Sequence, residues 1–211
     1  MKFKHTRFRI SIGNAAGSTP IAVTSITAGI TPLVNAAAHG LATGDVIVLK
    51  GTGSFQTDGP YLVEVVDTSS FYLLNANWEN RDNLTGASIT ATKQALMQFC
   101  DLTDVDINDR EMNYTDEETM CGTVTTGVMT LGTISGTAIW DTKVPLQVIL
   151  DEYFSSQDDF LLWFQPNGSD IVTAWRVRQA AFPKSGSAAD DKWTSAMEWK
   201  VLSVPGAVTL E

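Results

Sequence analysis

Hydrophobic and polar positions along this chain mostly alternate or fall in short apolar runs, which is the pattern of β-strands. Residues 46–49, 61–66 and 71–74 form three such runs, separated by Gly and Asp turns. The one segment with helical spacing, predicted as a helix over 145–155, places Leu146, Ile149, Leu150 and Tyr153 on one face behind Pro145. The pattern therefore predicts a mostly β fold with one short α-helix.

Two parts of the chain differ in the length of their predicted strands and in their content of turns. Residues 18–87 are rich in turns and contain the three short strands, whereas strands lengthen from Thr90 onward. Residues 160–164 are continuously apolar, as in a buried strand, and residues 184–192 are a polar connector. We predict that residues 1–17 and 88–211 form one β-sandwich domain and that residues 18–87 are an inserted module.

Acidic residues are concentrated in a segment predicted as a β-hairpin arm. Eight carboxylates lie between Asp101 and Glu118 against one cation, Arg110, so this segment carries −7 of the chain's −10. The first ten residues carry +4, from Lys2, Lys4, Arg7 and Arg9. Since like charges at this density repel one another, the pattern favours a partner or a repeated assembly over an isolated monomer.

The rest of the composition excludes several classes. A pI of about 4.5 argues against a nucleic-acid binder, because each phosphate contact needs a Lys or Arg. No apolar run reaches the roughly 18 residues of a membrane helix, and the start of the chain lacks a signal-peptide core, so no membrane partner and no export are expected. Cys100 and Cys121 are expected to be reduced core thiols, with a cross-strand bridge as the alternative if their strands pair.

Signals for catalysis or a cofactor are weak. His5 and His39 are the two histidines, and neither accompanies a nucleophile motif. We therefore interpret His39 and Gly40 as residues of a turn, where His and Gly tolerate unusual backbone angles. Asp104, Asp106 and Asn108 match the start of a calcium-binding EF-hand loop, but Asp109 stands where that loop needs Gly and Thr115 where it needs Glu. We expect no enzyme, no cofactor and no metal. A looser calcium site, a pair of glycosidase carboxylates and a plainly solvated acidic loop stay open as alternatives.

Five consecutive features follow one another from Thr90 to the C-terminus. They are the acidic DVDINDREMNYTDEETMCG, the Thr/Gly-rich TVTTGVMTLGTISGTAIW, the helical PLQVILDEYF, the aromatic FLLWFQPNGSD and the Trp-bearing SGSAADDKWTSAMEWKVLSVPG. In this order they resemble the major tail tube proteins of long-tailed bacteriophages. Separately, HGLATGDVIVLKGTG and YLVEVVDTSSFYL resemble a small β module that recurs inside phage tail proteins. The position of that module, after the first strand, departs from a plain tail tube protein.

The resemblance implies a β-sandwich or tube-forming β-barrel subunit with one short α-helix, plus a small inserted β module. It implies a structural protein of the virion tail, assembled in the cytoplasm of a bacterial host. It implies homohexameric rings stacked into a hollow tube, with ruler and terminator proteins as further partners and DNA passing through without specific binding. A rival hypothesis from another class is a monomeric β-sandwich module that binds carbohydrate or a cell surface through exposed Trp residues.

Two hypotheses assign residues to the tube. In the first, an acidic surface of one ring meets a basic surface of the next; the candidates are Lys2, Lys4, Arg7, Arg9, Asp109, Glu111, Asp116, Glu117 and Glu118. In the second, Asp104 and Asp106 line the lumen and keep DNA from adsorbing.

Overall fold

The computed structural model describes residues 7–54, 56–86, 88–119, 122–141, 143–187 and 192–210, with the backbone alone for residues 112, 114–119, 122–127, 187 and 192. These residues form sixteen strands and one helix, so the predicted mostly β class is confirmed. The strands are β1 (Arg7–Asn14), β2 (Ile21–Ala22), β3 (Ser25–Thr27), β4 (Leu33–Asn35), β5 (Val46–Lys50), β6 (Gly59–Asp67), β7 (Ser70–Leu73), β8 (Leu84–Thr85), β9 (Thr90–Gln98), β10 (Leu102–Thr119), β11 (Gly122–Trp140), β12 (Asp159–Gln165), β13 (Ile171–Ala181), β14 (Lys184–Ser187), β15 (Lys192–Val201) and β16 (Gly206–Thr209). The helix is α1 (Pro145–Ser156).

The strands form one long antiparallel sheet that runs through the whole described chain. Its order is β10-β11-β15-β13-β12-β1-β9-β5-β6-β7-β4-β3-β8, with β14 beside β15, β16 beside β13 and β2 beside β9. Antiparallel sheets can keep one face on a core and leave the other in water, as the alternating side chains of β15 illustrate. Met197, Trp199 and Val201 of that strand are buried, whereas Glu198 and Lys200 are exposed.

One buried cluster, the main core, lies between β1, the strands that come after β9 and helix α1. It joins aromatic and aliphatic side chains of β1, β11, β12, β13 and β15 to the inner face of α1. Trp199 lies at its centre, with its ring centroid 5.9 Å from that of Phe8 and no exposed surface. Burial of this cluster is the main favourable term for this part of the fold.

Strands β2 to β8 enclose a second buried cluster of their own. Tyr61, Phe71 and Trp78 are its large members, and the Tyr61 hydroxyl donates to the Thr57 carbonyl oxygen at 2.8 Å. Burial is the main cause that raises the pKa of Tyr61 above its ordinary value. A third cluster joins the two parts, because Val46 and Leu62 of β5 and β6 pack with side chains of β12, β13 and β16. The predicted boundaries at 17/18 and 87/88 stay a prediction.

Helix α1 covers one side of the main core. Pro145 occupies its first turn, and Gln157 caps its end with a left-handed φ of 58°. Leu146 and Leu150 are buried, as the helical spacing predicts. Tyr153 stacks on Phe160 at 4.9 Å between centroids and donates its hydroxyl to the Ser11 carbonyl oxygen at 3.1 Å, which ties the helix to β1.

The local predictions about strands and the helix are largely confirmed. The helix begins at Pro145 as predicted and ends one residue later, at Ser156. The three short strands appear as β5, β6 and β7, and the acidic segment is one arm of a long β10–β11 hairpin. The continuous apolar run over 160–164 is the buried part of β12.

Other local predictions are wrong in whole or in part. The polar connector over 184–192 begins with β14, which pairs with β15 from Lys184↔Ser195 to Ser187↔Lys192. Cys100 is an exposed free thiol rather than a core residue, and Cys121 lies outside the described residues. In the turn at His39, the positive φ belongs to Ala38 and Gly40. His39 instead accepts the Leu41 N–H at Nδ1, so its protonated Nε2 donates to the Asp67 carbonyl oxygen at 2.8 Å.

Candidate assembly surface

Strand β10 lies at the end of the sheet and pairs with β11 alone among the described strands. It spans 18 residues, and its pairing with β11 continues from Leu102↔Ala138 to Thr119↔Gly122. The N–H and C=O groups along its other edge therefore have no strand partner in the described part of the chain. A long open edge of this kind is a template for pairing with another chain.

The middle of the outer face of β10 and β11 is polar, and its residues on β11, from Thr133 to Thr137, are small. Asp104 and Asp106 are exposed and lie opposite Thr137 and Ser135 in the register. Glu198 of β15 continues the same face, since it pairs with Ser135. The two lumen candidates thus share one bare, acidic sheet surface, while Val105 and Ile107 of the same strand pack on the core.

Two of the stacking candidates lie on the opposite face of β10 from Asp104 and Asp106. Asp109 accepts a hydrogen bond from the Trp175 indole Nε1 at 2.7 Å, and Arg110 Nε lies 3.7 Å from the same carboxylate oxygen. One oxygen of Asp109 is therefore engaged within its own chain, whereas Glu111 is exposed. Opposite this point a Cβ on Gly132 would lie 2.0 Å from the Asn108 carbonyl oxygen, so the strands approach closely where the hairpin leaves the core.

Beyond this point the hairpin continues as an arm, which we define as residues 110–119 and 122–131. At roughly 3.3 Å per residue, each of its strands is about 30 Å long. The side chains of Val128, Met129 and Leu131 are 62%, 49% and 37% exposed, although they are apolar. Asp116, Glu117 and Glu118 belong to β10, so they occupy a strand rather than the tip of a loop, and their side chains lie outside the described part.

Two of the basic candidates are described, and they lie together on β1. Arg7 is exposed, and Arg9 lies with its guanidinium carbon 4.8 Å from the centroid of Trp163. Burial, followed by repulsion from Arg7, lowers the pKa of Arg9 below its ordinary value. No ion pair joins either arginine to a carboxylate among the described residues. Lys2 and Lys4 lie outside those residues.

An ion cluster that the sequence did not predict holds the two parts of the chain together. One carboxylate oxygen of Asp159 lies 2.6 Å from Arg176 Nη2, and the other lies 2.7 Å from Arg178 Nη2, so the carboxylate forms an ion pair with each arginine. Arg176 also donates to the Gln56 carbonyl oxygen at 3.2 Å. A Cβ on Gly59 would lie 2.5 Å from the Arg176 guanidinium carbon, so this glycine makes room for it. Arg176 and Arg178 lie two residues apart on one face of β13, but no local signal in the sequence indicated Asp159 as their partner.

The EF-hand alternative can be compared with the geometry of the described residues. No group of three His, Cys, Asp or Glu side chains there could hold a metal ion. Asp104 and Asp106 lie on an extended strand, so the loop geometry of an EF-hand is absent at these positions. Among the described helical residues, no segment combines the length and apolar character needed to cross a membrane.

Fold and surface together define a mostly β protein with one bare, acidic sheet edge. Comparison with protein-family models and with curated proteins found no match to this chain.

Proposed function

We propose that this chain is a structural, non-enzymatic subunit of a bacteriophage tail tube that assembles into stacked rings and forms a conduit for genome delivery. The observation that carries the proposal is the open edge of β10, 18 residues long at the end of the sheet. Copies arranged side by side in a ring would cover such edges by strand pairing, because a closed barrel has none.

The charges on β10 support specific pairing over indiscriminate aggregation. Asp104, Asp106 and Arg110 are exposed along this strand. Charged side chains on an edge strand disfavour pairing with an identical edge, since like charges would then lie opposite each other. A partner strand of different composition avoids that cost, as in the head-to-tail contacts around a ring.

The position of the main core on one side of the sheet supports the same proposal. Helix α1 and the main core cover one face of β10, β11 and β15, and their other face carries Asp104, Asp106, Thr133, Ser135 and Glu198. In the proposed ring this bare face lines the lumen. The three carboxylates of this face outnumber its two exposed cations, Arg110 and Lys200, so its net negative charge would repel DNA phosphates and favour passage of the genome over adsorption. The resemblance adds six copies per ring, ruler and terminator partners, and assembly in the host cytoplasm into a virion tail.

Electron microscopy of the purified full chain tests the proposal. We expect negatively stained samples at high protein concentration to contain rings or tubes, and sedimentation velocity to show species much larger than 22.8 kDa. A monomer that persists at every concentration and salt condition would contradict it.

The lumen assignment makes a separate prediction about DNA retention. Tubes of Asp104→Lys/Asp106→Lys should retain double-stranded DNA at about 0.15 M salt, whereas wild-type tubes should not. The matched control is Glu79→Lys/Asp82→Lys, which makes the same change in charge at exposed positions of the inserted part. Equal DNA retention by both variants in a co-sedimentation assay would show that Asp104 and Asp106 do not line the channel.

Trp193 is the one observation that favours the binding-module alternative. It is 55% exposed, whereas Trp78, Trp163, Trp175 and Trp199 are buried. A glycan-binding module would use this indole as its stacking surface. Binding of a glycan by monomeric protein, lost in Trp193→Ala, would favour that alternative over the tube.

A further inference from the structure

Four side chains of β1 and β12 form a compact block on one face of the sheet. Arg7 pairs with Gln165 and Arg9 with Trp163 in the antiparallel register. Residues directly opposite each other in such a pair have Cβ atoms about 5 Å apart, and residues two apart along a strand share its face. The register therefore places two guanidinium groups beside one indole and one amide. We call these four residues the arginine patch.

The two arginines of the patch have no carboxylate partner in the described part of the chain. The Arg9 guanidinium carbon lies 4.8 Å from the centroid of the Trp163 ring, so an uncharged partner holds this side chain. Burial, and then repulsion from Arg7, lower the pKa of Arg9. An anion between the two guanidinium groups would relieve that repulsion, because a nearby opposite charge stabilises each charged form.

Two buried polar atoms of the same patch have no hydrogen-bond partner. They are the indole Nε1 of Trp163, which is a donor, and the amide oxygen Oε1 of Gln165, which is an acceptor. Trp163 is 2% exposed. The Gln165 amide nitrogen donates to the Ser169 carbonyl oxygen at 2.8 Å, which sets the orientation of the amide. Since a buried polar atom without a partner is costly, a ligand that supplies both an acceptor and a donor would satisfy both atoms.

We propose that the arginine patch binds one inorganic phosphate ion. Its oxygens accept from the guanidinium groups of Arg7 and Arg9 and from the indole of Trp163. Its O–H donates to Oε1 of Gln165. Guanidinium groups suit this ligand because their planar set of donors matches phosphate oxygens and the charge strengthens each hydrogen bond. The inference goes beyond the tube and does not depend on it, since all four residues belong to one copy.

The acceptor in the patch decides which anions it takes. Inorganic phosphate keeps a proton at neutral and moderately alkaline pH, whereas sulfate and a phosphodiester carry none. A phosphomonoester loses its second proton at about pH 6, so at about pH 8 it also offers acceptors alone. Each of these three anions would leave Oε1 of Gln165 facing another oxygen without a proton between them, which is unfavourable. The patch should therefore prefer free inorganic phosphate.

Isothermal titration calorimetry of the full chain at low salt and about pH 8 tests this preference. We expect one phosphate per chain, with at least about tenfold weaker binding of sulfate, dimethyl phosphate and glycerol phosphate at equal ionic strength. Phosphate should also raise the melting temperature as its concentration increases, because it binds the folded chain. Equal affinity for phosphate and sulfate, or no saturable binding of phosphate, overturns the proposal. Tighter binding of glycerol phosphate than of phosphate overturns the assignment to the free ion.

Two variants locate the site. Arg7→Gln/Arg9→Gln should lower the affinity for phosphate at least about tenfold, because it removes both charged donors. Gln165→Met keeps the length of the side chain but removes the acceptor, so it should bind phosphate and sulfate equally. The control Lys50→Gln/Lys143→Gln removes two exposed cations elsewhere and should bind phosphate as the wild type does. Selectivity that persists in Gln165→Met, or an equal loss of affinity in the control, overturns the proposal. Circular dichroism checks that each variant is folded.

Discussion

Replacing Trp199 by alanine should lower the free energy of unfolding by about 4 kcal/mol, a large share of the stability of a typical domain. The indole is fully buried, and its Nε1 donates to Gln179 Oε1 at 2.6 Å. The substitution would leave a cavity beside Phe8 and a buried amide oxygen without its donor, and both effects are destabilising. Urea denaturation followed by circular dichroism measures the change.

Trp193→Ala in the same strand is the matched control. This indole is 55% exposed, so its removal should cost less than about 1 kcal/mol. Comparable losses from the two substitutions would contradict the placement of the main core between β15 and α1.

Asp159→Ala should lower the free energy of unfolding by about 3 kcal/mol. Its side chain and that of Arg176 are each 11% exposed, so the change would leave a nearly buried guanidinium without its carboxylate. Removal of one partner from such a pair is costly because the remaining charge stays desolvated. Thermal and urea unfolding of the variant provide the measurement.

Asp158→Ala provides the neighbouring control, because Asp158 is exposed at the end of the helix and should contribute within about 0.5 kcal/mol. The double variant Asp159→Ala/Arg176→Leu should lose less than the sum of the two single variants, since it removes both charges. Strict additivity would show that Asp159 acts independently of Arg176.

Asp159→Ala and Asp158→Ala also test the proposed assembly. Arg176 joins β13 to the segment around Gln56, so the ion cluster fixes that segment relative to the main core. A rigid body presents its arm and its open edge in one orientation, which repeated contacts require. Asp159→Ala is therefore expected to weaken assembly as well as folding, whereas Asp158→Ala should leave both unchanged.

The strands and the helix were predictable because their signals are local. Leu146 and Leu150 lie one helical turn apart, and Val105 and Ile107 alternate with Asp104 and Asp106. A repeat of about 3.6 residues marks the buried face of a helix, and a repeat of 2 marks that of a strand. Both can be recognised without knowing what packs against the element. The failures arose where a partner far along the chain decided the outcome. Lys184 is part of β14 because it pairs with Ser195 of β15, and Cys100 is exposed although its neighbour Phe99 is buried.

The sequence alone determined the β class, the helix, the acidic arm and the separation of charge between Arg7 and Glu118. Only the tertiary structure decided that β10 is the edge of the sheet, that the face of Asp104 is bare and that Asp109 bonds to Trp175. It also brought together Gln56, Asp159 and Arg176, which lie up to 120 residues apart. The physical reason is that periodicity reports burial along one element, whereas the order of strands and the pairing of charges depend on how all elements pack at once.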